Sequence, residues 1–228
     1  MPDISLDRAQ QERPHCRLVQ SPDDSFVAID IETANAEISS ICQIAAVEFV
    51  GGRESNVWHS LVNPEAPFNA LNVGLHGINA SAVRNAPIFS SIADTLLTLL
   101  SDRVVVSHTP FDRISLERAC RQHGIPLIKC RWLDTARVVR RAWPRFARRG
   151  YGLRSVASWC GIEFRHHDAV EDANAAGRIL ALAVAETDIT LEAWLHCCPT
   201  SERRVRQNQS RDRSAQLAPS CCAECSEP

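Results

Sequence analysis

The stretch FVAIDIETAN, Phe26 to Asn35, constrains the fold more tightly than any other part of the chain. Side chains alternate between the two faces of a β-strand, so Val27, Ile29 and Ile31 share one face and Phe26, Ala28, Asp30 and Glu32 share the other. Two carboxylates therefore lie on one face of an apolar strand. An unpaired buried carboxylate is costly, and a like charge two residues away makes ionisation harder still. Whatever forms around this strand has to make that arrangement tolerable.

The surrounding pattern gives the fold class. FVAIDI is followed by SICQIAAVEFV, the Gly51-Gly52 turn and RESNVWHSLV, which reads as successive strands with the second pair closed as a hairpin. Helical signals begin at about Ala80 and are clear over Phe89 to Leu100. VVVSH, Val104 to His108, is a short continuous apolar run, as expected of a buried and parallel strand. Asp112 to His123 reads as a helix stopped by Gly124, and Leu133 to Ala142, Leu153 to Cys160 and Ala169 to Ala185 read as three more. Strands in succession followed by alternating strands and helices indicate an α/β domain with a mixed sheet.

At 228 residues, one well-cored domain with additional terminal segments is expected. Residues 1–24 read as a loose leader, 25–198 as the folded domain, and 199–228 as an aperiodic, disordered tail rich in Arg, Ser and Gln. The leader lacks an apolar run and no stretch approaches a membrane span, so a cytoplasmic protein without membrane contact is expected. The ten cysteines are read as free thiols, with Cys42, Cys120 and Cys160 packing as small hydrophobes. Cys222-x-x-Cys225, with Cys221 beside it and Cys197-Cys198 upstream, lacks the ordered pair spacing of a structural zinc site. Net charge is −2, so contact with a polyanion must come from a local patch. One such patch is RWLDTARVVRRAWPRFARRGYGLRS, where arginines alternate with Trp143, Phe146 and Tyr151. Arginines with aromatics can follow a phosphate backbone and stack bases, a solvated helix face being the plainer alternative.

Two further acids interrupt apolar patterns. Asp168 caps a helix in which Ala169, Asp172, Ala176 and Ile179 fall on one face, so Asp172 sits on a core-facing stripe. Asp112 opens a helix after a buried strand, at the carboxyl end of the sheet where α/β ligand sites gather. Four inward carboxylates are explained economically by a pair of hard divalent cations, Mg²⁺ or Mn²⁺, which take oxygen ligands and reverse the local electrostatics. His167, five residues before Asp172, is the right kind of group to accept a proton from water near pH 7; the adjacent His166 is expected on the surface.

DIET, HTPFD and HDAVEDA, the last of the form His-x-Ala-x-x-Asp-Ala, together resemble the three exonuclease motifs of the DEDD superfamily in its DEDDh branch. That branch includes the proofreading epsilon subunit of bacterial DNA polymerase III and RNase T. The resemblance runs from about Ser25 to Ala185 and takes in GLHGINASAV, similar to the segment that faces the terminal base. It implies an RNase H-like fold, a mixed five-stranded sheet flanked by helices, and a two-metal mechanism. On that basis Asp30, Glu32 and Asp172 hold one metal ion, Asp30 bridges to a second, Asp112 reaches it directly or through water, and His167 is the general base. Ile31, Thr33, Leu75, His76 and Phe111 are the implied substrate contacts.

The implied activity is 3′-to-5′ release of nucleoside 5′-monophosphates from single-stranded or frayed DNA in proofreading or repair, with a polymerase or repair partner. RNase T-like trimming of RNA 3′ ends and a catalytically idle binding domain are the alternatives. One departure stands out: HTPFD is one residue shorter than the usual pattern and carries Thr109 in place of Asn, so the loop leading into Asp112 must differ.

Overall fold

The computed structural model describes residues 25–198; the leader and tail read from the sequence lie outside the described residues. A five-stranded sheet in the order β3-β2-β1-β4-β5 forms the centre. Its strands are β1 (Ser25–Thr33), β2 (Ile41–Val50), β3 (Arg53–Leu61), β4 (Val104–Ser107) and β5 (Arg131–Asp134). β1 to β3 run antiparallel in sequence, while β4 pairs parallel to both β1 and β5, so the sheet is mixed as expected. The β2–β3 turn closes on Gly51 (φ 57°) and Gly52 (φ 74°). Positive φ at both central residues is what a two-residue hairpin with matching twist requires.

Around the sheet are α1 (Ala70–His76), α2 (Phe89–Leu100), α3 (Phe111–Gln122), α4 (Thr135–Ala142), α5 (Leu153–Trp159), α6 (Ala169–Thr187) and α7 (Leu191–Cys197), with a 3₁₀ turn at Pro144–Phe146. β1 separates two cores. Val27, Ile29 and Ile31 pack with Phe89, Ile92, Leu96 and Leu100 of α2 and Leu116 of α3. Phe26 and Ala28 pack with α4, α5, α6 and α7 through Val138, Val156, Ala176, Ile179 and Trp194. The alternation read from the sequence is the one observed, and Asp30 and Glu32 extend the Phe26/Ala28 face toward α6.

α6 lies close against this face at Gly177, where a Cβ would collide with the ring of Phe49. That ring has little room to withdraw, because it stacks on Phe26 with centroids 5.0 Å apart. The helix can therefore settle onto the sheet only because residue 177 has no side chain.

Three elements differ from the sequence reading. Residues 80–86, expected to begin helical structure, form turns, and the helix lies earlier at α1. α1 is set by its ends: Asn69 Oδ1 accepts the Leu71 N–H at 2.8 Å, and Gly77 closes it in the left-handed region. It buries no residue, so it leaves no apolar period to detect. Leu133 and Asp134, read as the start of a helix, instead end β5, and Asp134 caps α4 through Ala136 N–H at 2.9 Å. α7 was not expected at all; it is short and held by Leu191, Trp194 and Leu195 in the core. The six described cysteines are free thiols, with Cys42 and Cys120 buried.

Candidate active site

The carboxyl ends of β1 and β4, the start of α3 and the first turn of α6 enclose a cleft of about 480 Å³. Asp30, Glu32 and Asp172 converge there, each offering a carboxylate oxygen within 4.8 Å of the others. The strand period delivers the first two and the helical stripe the third. Asp112 lines the same cleft but is turned toward β1, where its Oδ1 accepts the Ile31 N–H at 3.0 Å. The parallel β1–β4 ladder pairs only Val27 with Val105 and Ala28 with Val106. The amide of Ile31 lies beyond that ladder, and the Asp112 carboxylate satisfies it in place of a strand.

These acids share one electrostatic problem. Burial, and then the charges of Asp112, Asp172 and Glu32, push the Asp30 carboxyl well above its ordinary value. Burial pushes Glu32 up to about 7, with Asp172 and Asp168 adding to the effect. Asp112 is pushed up to about 8, chiefly by burial, despite the favourable Ile31 N–H. Like charges in a desolvated site cannot all ionise without a cation.

A loop before α6 supplies two histidines. Asp168 caps α6, accepting the Val170 N–H at 3.2 Å, and fixes where the loop enters the helix. His167 has a φ of 67° and its backbone N–H donates to Asp172 Oδ2 at 2.8 Å. Its Nδ1 is 3.8 Å from Glu32 Oε1, and its side chain is 35% exposed. Burial and the neighbouring His166 ring hold its pKa below the usual imidazole value, favouring the neutral form at pH 7. His166, expected on the surface, is instead engaged: its Nδ1 lies 2.9 Å from Asp172 Oδ1 and its ring stacks on His167 at 4.0 Å. The left-handed turn at His167 folds the pair back over Asp172, which spacing along the chain does not reveal.

Of the residues implied to touch substrate, Ile31, Thr33, Leu75 and Phe111 line the cleft; Leu75 is 59% and Phe111 38% exposed. His76 does not line it. Its Nδ1 accepts the Ile78 N–H at 3.0 Å, which leaves Nε2 to donate to the Thr33 carbonyl at 3.1 Å. Asn72 also bonds Thr33, through Nδ2 to the carbonyl at 3.0 Å.

Sequence reasoning singled out neither Asn72 nor His108. His108 is held between Thr135 Oγ1 and the Tyr151 carbonyl, both at 2.8 Å, and burial lowers its pKa. Its signal was a histidine at the end of an apolar strand. The short HTPFD loop closes with Thr109 at φ 90°, its N–H donating to Asp134 Oδ1 at 3.1 Å. A β-branched residue in that region is strained, and the Asp134 contact helps hold it there.

The family model described as RNase_T, Exonuclease, matches residues 27–180. The chain belongs to this exonuclease family. It is accordingly an exonuclease, a phosphodiester hydrolase. DNA polymerase III PolC-type of Streptococcus sanguinis (strain SK36) is 29% identical over 167 residues, covering 72% of this chain and 11% of that protein. The same enzyme of Streptococcus pneumoniae serotype 2 (strain D39 / NCTC 7466) is 28% identical over 165 residues, 71% of this chain and 11% of that protein. The exonuclease thus spans 11% of the length of these curated relatives.

Among solved structures, Exonuclease X in complex with 5′ overhanging duplex DNA is similar with a TM-score of 0.61 and 22% identity. That match covers 75% of this chain and 98% of the other. The nuclease domain of 3′hExo, a DEDDh family member bound to rAMP, has a TM-score of 0.59 and 16% identity, covering 72% and 93%. These likenesses extend the RNase H-like fold to this exonuclease. Exonucleases of this kind generally use divalent metal ions, and the donor set here suits them: oxygen ligands, buried like charges and an open cleft.

Proposed function

We propose that this exonuclease depends on two Mg²⁺ or Mn²⁺ ions and releases nucleoside 5′-monophosphates from the 3′ end of single-stranded or frayed DNA, in proofreading or repair. The observation that carries the proposal is the convergence of Asp30, Glu32 and Asp172 beside Asp112, with carboxyls pushed up to about 7 and 8 by burial and by the neighbouring carboxylates. Asp30, Glu32 and Asp172 would hold one ion. Asp30 and Asp112 would serve the second, Asp112 through the oxygen not engaged by Ile31. Bound there, the ions would supply positive charge to the phosphate under attack and to the departing 3′ oxygen.

The chain's own groups would do the rest. His167, neutral at pH 7 and partly open to solvent, would accept the proton of the attacking water at a ring nitrogen. His166 would hold Asp172 in place through its 2.9 Å contact. Leu75 and Phe111, exposed at the cleft, would pack on the terminal nucleoside, with Ile31 and Thr33 beneath. His76 would contribute by fixing the Thr33 carbonyl.

DNA is placed ahead of RNA because the PolC-type relatives are DNA polymerases by name and one structural neighbour is bound to duplex DNA. The neighbour bound to rAMP favours RNA trimming as the second reading. Association with a polymerase, which the names of the PolC-type relatives favour, is part of the proposal, as are a cytoplasmic setting and residues 25–198 as the catalytic unit.

A parallel assay tests this. Labelled DNA and RNA oligonucleotides, single and double stranded, are incubated with Mg²⁺, Mn²⁺ or EDTA. Mononucleotides from single-stranded DNA with either metal, and none in EDTA, are expected. Faster release from RNA would move the assignment to RNA trimming. No release from any substrate by demonstrably folded protein would leave only the idle binding domain.

A further inference from the structure

The segment from Thr135 to Ile162 contains Arg137, Arg140, Arg141, Arg145, Arg148, Arg149 and Arg154 and no acidic residue, within a chain of net charge −2. It forms α4, the 3₁₀ turn and α5, and it reaches the cleft at Gly152 and Leu153, which are part of the cleft wall. The sequence suggested that its aromatics stack bases. The structure assigns them elsewhere: Trp143 is 6% and Phe146 3% exposed, in an edge-to-face cluster with Trp159. They cannot reach a base. They instead support the arginines: Arg145 lies over Phe146 and Trp159, and Arg140 lies 4.8 Å over Tyr151 while donating to the Ala147 carbonyl at 3.2 Å.

The Tyr151 carbonyl is in turn held by His108 at 2.8 Å, which ties the arm to the cleft. Arg148, Arg149 and Arg154 are exposed, and none of them has an ion-pair partner among the described residues.

From this placement we infer that the arm is a phosphate track for the substrate strand, gripping it upstream of the terminal nucleotide without reading bases. The inference rests on the exonuclease acting on a nucleic-acid strand, and it adds where that strand runs and what is recognised. Arg148 and Arg149 stand four and three residues from Gly152, so their backbone lies at most roughly 10–14 Å from the cleft wall. At the duplex rise of about 3.4 Å per nucleotide that is at most about three or four nucleotides, and fewer for an extended single strand. The guanidinium fork suits phosphate oxygens, and with Trp143 and Phe146 buried and the half-buried Tyr151 lying under Arg140, the grip is electrostatic and tolerant of sequence.

The test compares the Arg148→Ser/Arg149→Ser double variant with the wild type. Binding of a fluorescent ten-nucleotide DNA strand is measured in EDTA across salt concentrations, and turnover of the same strand and of a dinucleotide is measured with Mn²⁺. Each arginine on a phosphate contributes a slope of about −0.7 in log affinity against log salt for a single strand. The double variant should lose about 1.4 of that slope, raise KM on the ten-nucleotide strand at least tenfold, and leave dinucleotide turnover unchanged. Strands of different sequence should be affected alike.

An unchanged salt slope overturns the track and leaves the arm to another partner, such as an acidic protein surface. Equal losses on dinucleotide and long strand also overturn it, because the effect would then lie in the cleft. Failure of the exonuclease reading would look different: the wild type would bind the strand and release nothing.

Discussion

The two faces of β1 begin alike and end differently. On one, Val27, Ile29 and Ile31 continue an apolar layer against α2 and α3 to the end of the strand. On the other, Phe26 and Ala28 open an equally dry layer, after which Asp30 and Glu32 bring charge into it where α6 adds Asp172. Both faces share one backbone, but the first stays fully buried through Ile31 while Asp30 and Glu32 are only partly covered. The contrast teaches that the cost of buried charge is confined to one end of one face, with two packed cores holding it in position.

The largest effect expected from breaking that contrast comes from Ile29→Asp. A carboxylate on the dry face has neither a counter-charge nor a cleft, so a loss of about 3–5 kcal/mol is expected in denaturant unfolding. Mn²⁺ should not restore it; restoration would mean that the faces are equivalent. Asp30→Asn, one residue away on the other face, should cost roughly 10³-fold or more in turnover, on the scale of several kcal/mol for metal stabilisation. Its metal-free melting temperature should equal or exceed that of the wild type, because a strained charge has been removed. A destabilised variant that remains active would contradict the role given to Asp30.

Smaller, and aimed at the loop facing the acids, His167→Ala should slow turnover by roughly 10² to 10⁴ fold and remove the acidic limb of the pH-rate profile. His166→Ala should weaken activity less and keep that limb. The reverse result would exchange the two histidines' roles.

The smallest expected effect is thermodynamic. Glu32 and Asp112 are raised in the folded protein to about 7 and about 8, above their ordinary values. Their contribution to stability is then full below about pH 4 and lost as pH climbs through 7 and 8. Without metal the melting temperature should fall over that range, by about 2–4 °C for each kcal/mol lost. A divalent cation should reverse the fall at pH 8 and have little effect at pH 5.

What was legible in the sequence was carried by long elements. β1, β2 and α6 repeat their period often enough for Asp30, Glu32 and Asp172 to show as interruptions, and the DIET, HTPFD and HDAVEDA motifs pointed to the family. The two-residue Gly51-Gly52 turn was equally clear. α1 was missed because a seven-residue helix that buries nothing has no periodic signature, and β5 because four residues fit a strand or a helix start equally well. His166 was placed on the surface because chain spacing takes no account of a left-handed residue beside it. Trp143 and Phe146 were read as base-stacking partners because arginines flank them, yet the core claimed both rings.

Gly177 offers a handle that leaves every charged group in place. It lies five residues beyond Asp172 on the same helix, and its missing side chain sets the gap between that helix and Phe49. The gap works as a caliper: widening it by one methyl group would shift the third carboxylate away from the other two. A graded series at this one position could tune the catalytic rate by geometry alone.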